Sequence, residues 1–270
     1  FVIILFKDVY YDTPGVLLNL NFNESSPPSI IQKLKAHLKV KQFLSANSID
    51  VIVDHRVRSS IFNESIFKFY TFFGIKTFYY IHSYLIKNYL PKINLISRFI
   101  FNSKSNIITV SNGIKSLIES NYGFRNVTTI YNYPDKITFK KENNSFSFDS
   151  DFVLFYGRLI DKVKNIKLLI SSYKKSILPI NNIKLIILGD GEDRNMLKEF
   201  VNDLELSDLV LFVPFTKSPF SFVKRAKFTL LTSRNEGFPM VLLESLACGT
   251  PVISVDCKTG PNEIIQNRFN

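Results

Sequence analysis

Lys184-Leu-Ile-Ile-Leu188 is apolar at every position after the first. A strand without polar alternation is buried on both faces, which implies a parallel sheet covered by helices on each side. The chain alternates outward from this run. On its amino side lie a strand at 152–156 and a helical pattern at 165–176. On its carboxyl side follow helix 193–203, strand 209–213, a short helix near 219–225, strand 227–232, helix 239–248 and strand 251–255. The first half has the same rhythm. Its strands read as 1–6, 50–54, 76–81, 106–110 and 127–131, and its helical patterns lie near 29–46, 60–73, 84–102 and 112–121. Ser111 is placed to cap the last of these. The polar stretch KKENNSFSFDS at 140–150 lacks periodicity and reads as a linker. The fold predicted is α/β, with two Rossmann-like domains of parallel sheet facing a cleft: residues 1–140, a linker at 141–150, and residues 151–270.

Composition bounds the function. The chain has 270 residues, 46% hydrophobic and 21% charged, with 26 Phe, 12 Tyr and no Trp, so it is globular rather than disordered. Net charge is +11, which favours an anionic partner without choosing among nucleic acid, phospholipid and phosphorylated substrate. Lysine outnumbers arginine 25 to 9, and Ile, Asn and Phe are abundant; this reads as AT-rich codon usage that supplies much of the basic excess. Cys248 and Cys257 are the only cysteines, which gives no disulfide framework and fits a reducing cytosol. His37, His55 and His82 are far apart in sequence and no HExxH occurs, so a zinc enzyme is not expected. No apolar run reaches the length of a membrane span. The chain starts at Phe1 without a charged segment before its first apolar run, so it reads as a fragment with no signal peptide.

Six of the ten glycines, at 157, 189, 191, 237, 249 and 260, fall at strand or helix ends of the second half. In an open parallel sheet those turns line the ligand crevice, and glycine admits close backbone approach. Ser233–Glu263, SRNEGFPMVLLESLACGTPVISVDCKTGPNE, is the stretch richest in chemistry. Pro239 at the first turn and Gly249 just past the end bracket helix 239–248 in the preferred sense. The helix follows a strand directly. Its free N–H groups around Gly237, Phe238 and Pro239 (proline itself has none) therefore point out of the sheet's carboxyl edge, an anion site suited to a diphosphate. Glu236 precedes this helix and Glu244 lies inside it. Two such carboxylates can accept hydrogen bonds from vicinal hydroxyls, one on a sugar and one on a ribose; the alternative is a pair of solvated helix-end acids. His82 ends strand 76–81, where a histidine can face the crevice, although a lone histidine is more often core or surface. Asp54-His55-Arg56 ends another strand and is an acceptor-side candidate, with a salt-bridged structural role favoured.

Glu236-Gly-Phe-Pro-Met-Val-Leu-Leu-Glu244 resembles the Glu-x7-Glu signature of glycosyltransferase family 4, retaining enzymes of the GT-B fold. The following SLACGTPVIS and Asp256-Cys-Lys-Thr-Gly-Pro-Asn-Glu263 are similar to that family as well. Gly157-Arg158-Leu159 followed by Lys164-Asn165 resembles its Gly-Arg-Leu…Lys-Asn element, whose Arg and Lys bind the donor diphosphate. One extra residue separates Arg and Lys here, so Lys162 competes with Lys164. Leu188-Gly189-Asp-Gly-Glu192 resembles the family's strand-end loop, and Val110-Ser111 and Ile130-Tyr-Asn132 the end of its N-terminal domain. The likeness covers most of residues 76–265. The family's glycine-rich first loop and its C-terminal crossing helix have no counterpart, which again marks a fragment lacking both extreme termini.

The resemblance implies transfer of a sugar, with retention, from a nucleotide diphosphate sugar, a UDP-sugar by its TGPNE loop. The acceptor would be a glycan or lipid-linked molecule of cell-surface polysaccharide synthesis. Glu236 and His82 would act on the sugar, and Arg158, Lys164, Gly189, Gly237, Phe238, Pro239 and Glu244 would hold the nucleotide. No cofactor or metal is expected, because the basic pair replaces one. The segment Ser83–Lys104 mixes apolar and basic residues, so an anionic membrane surface is an expected partner and nucleic acid is not. The location implied is cytoplasmic, peripheral on the inner face of the membrane. Rival readings are a GT-B epimerase, an inactive sugar-nucleotide binder, and a nucleic-acid or membrane-binding protein on the same fold.

Overall fold

A computed structural model describes residues 2–6, 16–22, 28–58, 60–90, 100–101, 105–134 and 148–265. The chain divides into two compact units. The first takes Phe1–Tyr80, Ile86–Ile108 and Glu119–Val127, and the second takes Ile81–Leu85, Thr109–Ile118 and Thr128–Asn270. The segments 81–85, 109–118 and 128–134, which the sequence reading counts with the first domain, thus group with the second unit. Most of the expected linker lies outside the described residues.

In the first unit, β1 (Val2–Phe6) and β2 (Leu17–Phe22) pair in parallel. Their Ile3, Leu18 and Leu20 pack on Val40 and Leu44 of α1 (Ile30–Ala46). Ser29 and Gln32 close a reciprocal capping box at the start of α1. β3 (Val51–Asp54) and β4 (Lys76–Ile81) pair in parallel and head a four-stranded sheet completed in order by β5 (Asn106–Thr109) and β6 (Val127–Thr129). The helix expected over 60–73 is α2 (Ile61–Ile66) followed by a wider π turn at Phe67–Thr71. Over residues 84–90 the helix expected near 84–102 is corrected to a 3-10 turn at Ile86–Asn88; Ile100 is helical, and 91–99 and 102–104 lie outside the described residues. Two physical reasons apply. The backbone and side chain of Arg58 take the carbonyls of Asn88 and Tyr89, 2.8 and 3.1 Å away, and Pro91 disfavours helix at the residue before it. α3 (Asn112–Tyr122) follows β5 as expected.

The second sheet is the more complete. Its strands are β7 (Phe152–Tyr156), β8 (Lys184–Leu188), β9 (Val210–Val213), β10 (Thr229–Leu231) and β11 (Val252–Ser254), in the spatial order β11-β10-β7-β8-β9, all parallel. Between them run α4 (Asp161–Lys164), α5 (Ile166–Lys175), α6 (Arg194–Asp203), α7 (Phe220–Arg225) and α8 (Met240–Ala247); α9 (Pro261–Ile264) follows β11. All five residues of β7 are buried. Val153 and Phe155 enter one layer with Leu169 and Ile170 of α5 and Leu197 of α6, while Leu154 and Tyr156 enter the other with Val223 of α7 and Val241 of α8. Truncating such a residue, Leu154→Ala for instance, costs about 2–5 kcal/mol. The strand order reverses at β7 and β10. In open α/β sheets the crevice at such a reversal is where ligands bind, beyond the carboxyl ends of the strands.

Candidate functional site

The loops leaving β7 and β10 carry the residues singled out from sequence. After β7 comes Gly157-Arg158, then the single turn of α4, which ends at Asn165 in a left-handed conformation (φ 52°). Asparagine tolerates that conformation better than most residues. The turn lets α5 start at once and leaves Lys164 beside the β10 loop. There its Nζ donates to Glu236 Oε1 at 2.7 Å. The contact is reinforced by Thr232 Oγ1 donating to the Lys164 carbonyl (2.9 Å) and Arg234 N–H to the Val163 carbonyl (2.9 Å). Lys162 is exposed on the same turn, so of the two candidate lysines it is Lys164 that meets Glu236. Arg158 is exposed, and no described residue pairs with its guanidinium.

Gly189 ends β8 with φ 143°, and a Cβ there would stand 1.9 Å from the Gly157 carbonyl oxygen. The two strand-end loops therefore meet backbone to backbone, and only glycine fits. Gly237 is needed for another reason: a Cβ there would lie 1.9 Å from the His82 carbonyl oxygen. The structure thus brings the backbone of His82 against the Glu236–Pro239 turn, within the second unit. Phe238 and Pro239 are buried, and the Phe238 ring lies 4.8 Å from that of Tyr131.

Glu244 sits in α8 with its carboxyl pushed up by burial, an effect partly offset by the neighbouring Tyr156 hydroxyl. The Tyr156 hydroxyl donates its proton to the Val241 carbonyl at 2.7 Å, which anchors α8 to β7. Beyond α8, Thr259 donates to the Glu236 carbonyl at 2.5 Å. The Cys257 thiol is raised by burial and then by the nearby charge of Glu236. Ser233 Oγ is buried at the end of β10 and has no hydrogen-bond partner among the described residues. Sequence reading assigned no role to Asn165, Tyr156, Ser233, Thr259 or Glu263. The last two lie in the TGPNE loop, whose likeness to the family was the one signal available.

Asp54-His55-Arg56 forms a separate, structural network in the first unit. Arg56 pairs with Asp54 at 2.8 Å and Glu64 at 3.2 Å. Arg58 is wholly buried and donates to the carbonyls of Asp54, Tyr80 and Tyr89. Burial alone would raise the Asp54 carboxyl, but Arg56 and Arg58 outweigh it and hold the group below the usual range.

The parallel strand pairs and the order reversal in the five-stranded sheet make this an α/β protein, and its fold is of the GT-B type. HepE of Anabaena in complex with UDP-glucose shares this fold over 89% of the present chain and 67% of its own, at TM-score 0.69 and 21% identity. The lipopolysaccharide outer core galactosyltransferase WaaB shares it over 92% and 68%, at TM-score 0.61 and 22% identity. The chain belongs to the group 1 glycosyl transferases, whose family model matches residues 136–270. An uncharacterized glycosyltransferase of Methanocaldococcus jannaschii is 35% identical over 70% of this chain and 49% of its own. The N-acetylgalactosamine-N,N'-diacetylbacillosaminyl-diphospho-undecaprenol 4-alpha-N-acetylgalactosaminyltransferase of Campylobacter jejuni is 31% identical over 68% and 47%. The chain spans about half the length of these two relatives.

Proposed function

We propose that the protein transfers a sugar, with retention, from a UDP-sugar to a glycan or lipid-linked acceptor in cell-surface polysaccharide synthesis. The observation that carries the reading is the Lys164–Glu236 pair at the strand-order reversal. In this reading the lysine is the cation for the leaving diphosphate, and the carboxylate beside it serves the sugar hydroxyls. Arg158 and Lys164 take up the charge that develops on the departing nucleotide, and the start of α8 adds its N–H dipoles. Glu244 binds the ribose, and Glu236 and His82 bind the sugar. Gly189, Gly237, Phe238 and Pro239 shape the floor. Attack occurs on the face the nucleotide leaves, assisted by its phosphate, with no metal.

For the acceptor, the Campylobacter relative is named for a diphospho-undecaprenol substrate. A lipid-linked acceptor suits a protein that works at the inner face of the membrane. α1 supports this location more directly than Ser83–Lys104. It carries Lys33, Lys35, Lys39 and Lys41 and no acid, and it exposes Ile30, Ile31, Leu34 and Leu38.

The test is UDP release by the full-length protein from a panel of UDP-sugars, with calorimetric titration of UDP onto wild type and Arg158→Ala. Release from at least one donor is expected, with UDP affinity in the variant lower by roughly tenfold or more. UDP that binds while no donor releases it would mark an inactive sugar-nucleotide binder. Unchanged affinity in Arg158→Ala would remove the diphosphate assignment.

A further inference from the structure

We infer that Glu263 is a positioning residue for sugar transfer, holding the Glu236 turn and the His82 strand end in one geometry. The inference rests on the function proposed above. Glu263 lies in α9, and its carboxylate is used three times. Oε2 accepts from the Asn112 N–H at 2.8 Å and from the Tyr131 hydroxyl at 3.0 Å, and Oε1 accepts from the Gly113 N–H at 2.9 Å. Asn112 and Gly113 are the first two residues of α3, whose opening N–H groups have no partner inside the helix. Ser111 Oγ satisfies only the next, that of Ile114, at 3.3 Å. An acid 150 residues away in sequence therefore completes the cap.

Both flanks of this contact lead to the proposed chemistry. On one side, Thr259 donates to the Glu236 carbonyl, and Tyr131, held by Glu263 and by Asn112 Nδ2 (2.6 Å), packs its ring at a tilt against Phe238. On the other, α3 follows Val110, whose N–H donates to the Ile81 carbonyl at 3.3 Å, one residue before His82. The His82 carbonyl meets Gly237. Glu263 thus joins the two segments that present the groups assigned to the sugar. Among the described residues, the diphosphate residues Arg158 and Lys164 form no hydrogen bond or ion pair with Glu263, Asn112, Gly113 or Tyr131. Loss of the carboxylate should then misalign the sugar while leaving nucleotide affinity in place, and small displacements of reacting groups lower turnover steeply.

The experiment compares wild type, Glu263→Gln and Glu263→Asp in the full-length protein. Each is tested with the UDP-sugar from which wild type releases UDP fastest, and with UDP itself by calorimetry. Gln keeps the size but offers one acceptor oxygen and an opposing NH2, whereas Asp keeps two acceptors on a shorter stem. Expected for Gln is a fall in kcat of about tenfold or more, with donor KM and UDP Kd within about twofold of wild type. Asp should recover part of kcat. Tyr131→Phe should lower kcat less than Gln, and add nothing in the Gln background, because both act through one carboxylate. An active wild type with unchanged kcat in Gln overturns the inference alone. So does a Gln variant whose kcat and UDP affinity fall together, since that marks a general brace of the fold. A wild type that turns over no donor overturns the underlying reading, and this inference with it.

Discussion

Glu244 is an acid whose surroundings oppose its charge. Burial raises its carboxyl above the ordinary value, so the ionised form costs stability in the folded chain. The sign follows: the folded state binds the proton more tightly than the unfolded one. The penalty is therefore absent at low pH and develops as pH rises through the ordinary carboxylate pKa to the raised one. Glu244→Gln should raise the melting temperature at about pH 8 without nucleotide, and the gain should vanish near pH 4. The same variant should bind UDP more weakly. Thermal melts across that range, beside calorimetry at the upper end, check both halves; a variant less stable at the upper pH would remove the burial argument. Much of this site was legible residue by residue, because spaced acids and an EGFP turn are local patterns. Lys164 was preferred to Lys162 through the Lys-Asn likeness alone; the left-handed Asn165 that sets its position is a feature apolar periodicity does not register. Glu263 was illegible for a different reason: its partners at 112, 113 and 131 are remote in sequence.

At the scale of elements, periodicity found the strands and helices of the second sheet to within a residue or two, since β7 and, after Lys184, β8 are continuous apolar runs and their helices amphipathic. It passed over β2, where Leu18-Asn-Leu-Asn-Phe22 does alternate but is not one of the continuous apolar runs read as strands, and α4, a single turn too short to show a period. It overran at Ile86–Asn88, where a buried arginine and a proline override an apolar pattern. One junction between elements gives a sharp prediction. Gly237→Ala drives a methyl group into the His82 carbonyl, so the β10–α8 turn and the end of β4 must separate. We expect a loss of about 1–3 kcal/mol in denaturant unfolding, together with most of the UDP-releasing activity. A variant of wild-type stability and turnover would show that the close approach does not persist in solution.

Over the whole molecule, charge is the property most readily tested. Net charge is +11, and α1 combines four lysines with an exposed apolar stripe. Basic residues near an anionic surface contribute about 1 kcal/mol each, within a Debye length. Co-sedimentation should show binding to vesicles containing phosphatidylglycerol, little to phosphatidylcholine alone, and a loss at high salt. Replacing Lys33, Lys35 and Lys39 with Gln should weaken it. Equal partitioning to both lipids would assign the charge to codon usage and leave the acceptor in solution. The strand order has a consequence for biogenesis. On the ribosome β7 emerges first and gains β8 and β9 on one side, but its other edge waits for β10, which starts at Thr229, 73 residues after β7 ends at Tyr156. At about 5–20 residues per second that edge stays open for roughly 4–15 s, a span in which a nascent apolar strand is exposed to mispairing. The central strand that fixes the crevice in the finished protein is, during translation, the one most in need of a holdase.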